Sequence, residues 1–94
     1  MSFYELVCVF PASLKTKKKL VQQIESWFKE IQAQVKEKKE WGKRRLAYPI
    51  KKHQEGAYFF WLLSAEPKKI VELNTKIRLE NEIIRHLLTK KGLP

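Results

Sequence analysis

Three adjacent cations, Lys43, Arg44 and Arg45, stand directly before the apolar alternation of Leu46, Tyr48 and Ile50, and the chemistry they fit is the gripping of phosphate. Cations fixed on a strand can neutralise several phosphates at set positions, and a guanidinium can hold one phosphate through two parallel donors. A strand edge guarded by positive charge against pairing with a neighbour fits the same residues equally well. Catalysis has less to draw on. The chain offers one cysteine, Cys8, and two histidines; His53 reads as a solvated turn residue and His86 as a packed strand residue. No zinc-ligand spacing and no phosphate-cradling glycine loop is written in it. We therefore expect no enzyme, no metal and no cofactor.

Those cations need elements to hold them, and 94 residues suffice for one compact domain, read here as residues 1–94. An apolar fraction of 44%, with three Trp, three Tyr and five Phe, supplies a core. Twenty Lys and Arg against ten Asp and Glu leave a formal charge of +10, a field that draws polyanions and makes nucleic acid the leading partner. Solubility alone is the plainer account of so many lysines. An anionic membrane surface fits less well, because the basic residues are spread over several elements. Cys8 has no second cysteine to pair with, which suits a reducing cytosol. Glu5 interrupts the opening apolar run and no cleavage site follows, unlike a signal peptide. No stretch is long enough to span a bilayer.

Residues Phe3 to Phe10 form an apolar run stopped by Pro11, which predicts a strand. Beyond Ser13, a reasonable N-cap, Leu20, Val21, Ile24, Trp27, Phe28, Ile31 and Val35 recur at three- and four-residue steps and predict one helix stripe. The polar stretch Gln34 to Glu40 is expected to hold the turn out of that helix and the start of a second strand. Leu46, Tyr48 and Ile50 alternate with Arg45, Ala47 and Pro49, and Pro49, which cannot donate to a ladder, places this strand at a sheet edge. A polar link from Lys51 to Gly56 then leads to a hairpin partner, Ala57 to Ala65. Pro67 opens a second helix with the stripe Ile70, Leu73 and Ile77. Ile83 to Thr89 reads as a last strand before the basic tail Lys90 and Lys91.

Strand, helix, strand, strand, helix, strand is the split βαβ arrangement. The fold class expected is α+β, ferredoxin-like, with a four-stranded antiparallel sheet of order 4-1-3-2 and both helices on one face. Two helices cover one face only. If Phe59, Trp61 and Leu63 meet the helices, then Tyr58, Phe60 and Leu62, with Val7 and Val9, make an uncovered apolar patch that marks an interface. Unstacked RNA bases could lie on its aromatics, or another protein could dock there; Leu62 and Val7 cannot stack, which favours protein.

The run Trp41-Gly42-Lys43-Arg44-Arg45-Leu46-Ala47-Tyr48-Pro49-Ile50 closely resembles the signature segment of the family of the sixth protein of the bacterial small ribosomal subunit. Tyr4-Glu5-Leu6-Val7 resembles that family's first strand, Gly56 to Trp61 its third, and Ile84-Arg85-His86-Leu87-Leu88 its fourth. The resemblance runs in order over nearly the whole chain. It implies a non-catalytic ferredoxin-like ribosomal domain in the cytoplasm, binding small-subunit ribosomal RNA with the eighteenth small-subunit protein, in the platform. Carried over by position, Gly42, Arg44, Arg45, Leu46, Tyr48 and Pro49 match the signature, and its basic members are the expected RNA contacts; Arg85 matches a basic position of the last strand and is expected to meet RNA or the partner protein, and Lys43 and Lys90 are counted with the RNA contacts. Val7, Tyr58, Phe60, Leu62 and Leu87 are the expected contacts to the partner protein. An RNA-recognition-like or protein-interaction module outside the ribosome is the alternative. Three departures from the family's pattern stand out: no glycine in Gln32-Ala33-Gln34-Val35, a shorter run before Pro11, and a lysine-rich first helix that suggests additional RNA contact.

Overall fold

The structure, a computed structural model, describes residues 2–50 and 53–91, and the side chains of Leu14, of residues 47–50 and of His53 lie outside the description. Its elements are β1 (Ser2–Pro11), α1 (Leu14–Glu30), β2 (Gln34–Ile50), β3 (His53–Ala65), α2 (Pro67–Leu79) and β4 (Arg85–Lys91). The strands form one antiparallel sheet in the order β2-β3-β1-β4. This is the expected ferredoxin-like α+β fold and the expected strand order. The edge position of β2 is the one that Pro49 requires.

Alternation along the central strands builds the core. Leu6, Cys8 and Phe10 of β1 and Phe59, Trp61 and Leu63 of β3 are buried, and they meet Leu20, Ile24 and Phe28 of α1 and Ile70, Leu73 and Ile77 of α2. Trp61 packs edge-on against Phe28 at 5.5 Å and 77°, and its indole N–H donates to Glu25 Oε2 at 3.4 Å. A fully buried indole keeps its polar atom satisfied in this way. An ion pair between Lys76 and Glu30 ties α2 to α1.

Several boundaries differ from the sequence expectation. Val35 does not extend the helix stripe but lies in β2, 44% exposed, because α1 ends in a Schellman turn in which Ala33 N–H donates to the Phe28 carbonyl at 2.9 Å and Gln32 N–H to that of Lys29 at 3.1 Å. The left-handed residue this turn needs is Gln32, at φ 58, and that is how the chain manages without the glycine. All of Gln34 to Glu40 is strand rather than turn. Gly56 lies inside β3, which begins at His53; Lys51 and Lys52 of the expected link fall outside the described residues. The last strand starts at Arg85, two residues later than Ile83, although Ile84 N–H still donates to the Val9 carbonyl at 2.9 Å. Ser13 occupies the N-cap position of α1 without a side-chain cap bond.

Candidate nucleic-acid interface

Register and alternation assign the face of the sheet opposite the helices. Side chains two residues apart on a strand share a face, so with Phe59, Trp61 and Leu63 turned to the helices, Tyr58, Phe60 and Leu62 turn away. Across the strands this open face runs in rows. Gly42, Tyr58, Val9 and Arg85 make one row, Lys39, Phe60, Val7 and Leu87 the next, and Glu37, Leu62, Glu5 and Thr89 the third. The middle row is apolar apart from its edge lysine. Its neighbours are basic at one end of the sheet and acidic at the other.

All five residues expected to meet a protein partner lie on this face. Val7, Tyr58, Phe60 and Leu62 are half-buried, and Leu87 is 61% exposed. Val9, read from the sequence as part of the patch, is buried instead. Its Cγ1 fills the place where a side chain at Gly56 would stand, with Leu46 beside it.

The five expected cations divide. Arg44 pairs with Gly56 and Arg85 with Val9, so both guanidinium side chains belong to the open face at the same end of the sheet. Three strand spacings, roughly 14 Å, separate them. Lys43 and Arg45 fall on the opposite alternation, opposite Ala57 and Glu55, and Lys43 Nζ lies 3.3 Å from Glu55 Oε2. Lys90 pairs with buried Tyr4; it belongs to the helix side and lies five positions along β4 from Arg85, so it is not brought together with the arginines. All five are exposed. Among the described residues, no carboxylate stands within 4.0 Å of Arg44, Arg45 or Arg85. The lysines of α1 are partly engaged within the chain. Lys17 pairs with Glu40 at 2.8 Å and lies over the Phe59 ring, and Lys19 pairs with Glu82 at 3.3 Å.

Sequence reasoning passed over Trp41 as a site residue. The register steps from Glu40 opposite Phe59 to Gly42 opposite Tyr58, leaving Trp41 as the extra residue of a β-bulge. Gly42, at φ +83, supplies the left-handed backbone that the bulge needs. Trp41 is thereby aimed onto the open face, where its ring stacks on Phe60 with centroids 5.6 Å apart and planes 15° from parallel. With Arg44, Tyr58 and Arg45, whose side chain reaches round the sheet edge from the opposite alternation, it lines a hollow of about 480 Å³. The signal available in the sequence was a large aromatic followed by glycine in an otherwise charged strand.

Elsewhere the described residues hold no cluster of three or more His, Cys, Asp or Glu that could bind a metal, and no helix long and apolar enough to cross a membrane. Burial pushes the Cys8 thiol far up, away from the reactive thiolate. His86 Nε2 lies 2.9 Å from Asn74 Oδ1. Burial first, and the Arg78 charge second, lower the pKa of this imidazole, so the neutral ring donates to the amide oxygen.

Comparison with known proteins gives a consistent picture. The family described as Ribosomal protein S6 matches residues 3–90. The chain is 33% identical over 94 residues to small ribosomal subunit protein bS6 of Desulforamulus reducens, covering 98% of this chain and 99% of that one. It is 30% identical over 93 residues to bS6 of Phytoplasma australiense, covering 97% and 100%. Among solved structures, the 30S ribosomal protein S6 of Thermotoga maritima shares the fold with a TM-score of 0.87 at 24% identity, over 96% of this chain and 87% of that one.

Proposed function

The chain belongs to the ribosomal protein S6 family, and from that premise we propose that it binds small-subunit ribosomal RNA with the arginine end of its open sheet face while the apolar rows of that face seat a second small-subunit protein. As a member of that family it is a non-enzymatic component of the small ribosomal subunit and so works in the cytoplasm. Residues 1–94 act as one domain in this reading. The supporting observation is the placing of Arg44 and Arg85 on one face, with no carboxylate of the described residues within 4.0 Å of either, beside apolar side chains that no helix covers.

Guanidinium groups held on paired strands lose little freedom when they take a phosphate, and phosphate contacts set the register of a protein on RNA. Lys43, on the other side of the same edge, would extend the contact around the rim, while Arg45 reaches the hollow that Trp41, Arg44 and Tyr58 line. The partner surface is Val7, Tyr58, Phe60, Leu62 and Leu87, and the eighteenth small-subunit protein is the occupant we assign to it. Charged groups are scarce in its central row, which suits the core of a protein interface.

Replacing Arg44 and Arg45 together by Ala should weaken binding to small-subunit RNA by about 2–4 kcal/mol, taking charge-assisted hydrogen bonds at about 1.5–3 kcal/mol each with incomplete additivity. Filter binding measures the affinity, and circular dichroism checks that the fold persists. An unchanged affinity would remove both residues from the contact.

A further inference from the structure

Trp41 is the large aromatic to which phosphate gripping and partner docking give no task. It stands on an edge strand, 43% exposed, and a bulge with a left-handed glycine holds it there. One side of its ring is covered by Phe60. Gly42, its neighbour in the bulge, has open space where a side chain would begin, and it pairs with Tyr58, which lines the hollow with Trp41. Tyr58 forms a second aromatic wall, and Arg44 and Arg45 stand at the rim of the hollow.

A hollow with aromatic walls and two guanidinium groups that pair with no carboxylate among the described residues attracts a ligand that combines a flat π-face with negative charge. Deepening the RNA reading, on which it rests, we propose that this hollow takes one unpaired base of the RNA, stacked on Trp41, with its flanking phosphates on Arg44 and Arg45. A basic side chain of a protein partner would meet two like charges, and an apolar one would leave both guanidinium groups without an anion. A nucleotide satisfies ring and charge together. The base must be unpaired, because a base inside an A-form duplex presents no free face. Stacking of this kind tolerates any base, so the site selects single-stranded structure rather than sequence.

The intact chain carries its own reporter. Trp61 is fully buried and Trp27 is half-buried against the core, so in a Trp27→Phe background Trp41 dominates the response to an added ligand. The probes are a hexamer of oligoriboadenylate and an abasic hexamer with the same number of phosphates, at low salt. The hexa-adenylate should quench the indole and bind about tenfold tighter than the abasic strand, within the range for one base–aromatic stack. Trp41→Ala should erase that difference and Trp41→Phe should keep most of it, while Arg44→Ala should weaken both probes alike. Equal affinity of the two probes, without quenching, overturns the base site and leaves phosphate binding standing. Failure of both strands to bind at low salt overturns the RNA reading as well. Quenching by the eighteenth small-subunit protein but not by hexa-adenylate assigns the hollow to protein.

Discussion

Gly56 shows how a missing side chain shapes the open face. A Cβ there would run into Val9 Cγ1 and come within 3.6 Å of Leu46 Cδ2. Val9 is buried, and its branched side chain has little freedom to turn away. Gly56→Ala should therefore destabilise the fold by about 1–3 kcal/mol, the usual cost of overpacking, read as a lower denaturant midpoint with an unchanged slope. His86 makes a second residue-scale case. Its folded pKa lies below the ordinary 6.5, so unfolding favours proton uptake. Its contribution to stability is complete above pH 6.5 and fades as pH falls below that value toward the folded pKa. Between pH 7.5 and 5.5 the melting temperature of the native chain should fall more than that of a His86→Gln variant; parallel curves would show that the imidazole is not linked to folding. Of the residues at the site, Arg44 and Arg45 were legible from their adjacency. Trp41 was not, because nothing in the types alone fixes which way a residue in a bulge points.

At the scale of elements, α1 and the two central strands were legible because their burial repeats with one period. The stripe from Leu20 to Ile31 follows helical steps, and Phe59, Trp61 and Leu63 alternate with Tyr58, Phe60 and Leu62. The first half of β2 carried no such signal. Lys36 to Glu40 is charged on both sides because it forms an exposed edge, and Val35 fell on the helical spacing by coincidence. The turn between α1 and β2 rests on hydrogen bonds that hold Gln32 left-handed, a conformation that costs a residue with a Cβ about 1–2 kcal/mol. Gln32→Gly should stabilise the chain by about 0.5–1 kcal/mol, the relief being offset in part by added freedom in the unfolded state. A rise in melting temperature checks this, and a fall would mean that the Gln32 side chain contributes to the fold.

Across the whole molecule, +10 is distributed rather than concentrated in one run. Some lysines serve the fold through surface ion pairs with Glu25, Glu30, Glu40, Glu55 and Glu82, each worth no more than about 1 kcal/mol. The arginines at the end of the open face remain for an outside anion. Binding to small-subunit RNA should thus fall with salt along a log-log line, with a slope of about −0.7 to −0.9 per phosphate and about three to six contacts in all. A flat salt titration would mean that the positive charge serves solubility alone. Architecture was the most legible level, since six elements in this order leave few topologies. The split of the cations between two faces was not, because it depends on where β2 gains its extra residues.

One of them, Trp41, occupies no rung of the ladder. Glu40 and Gly42 already stand opposite consecutive positions of β3, so a chain lacking Trp41 would pair without a break from Glu37 to Arg45 and Arg44 would keep its side. Mutation could therefore retune this corner, or delete its indole outright, while inheritance of the sheet proceeds undisturbed. Affinity for an unpaired base and foldability can drift apart here over generations.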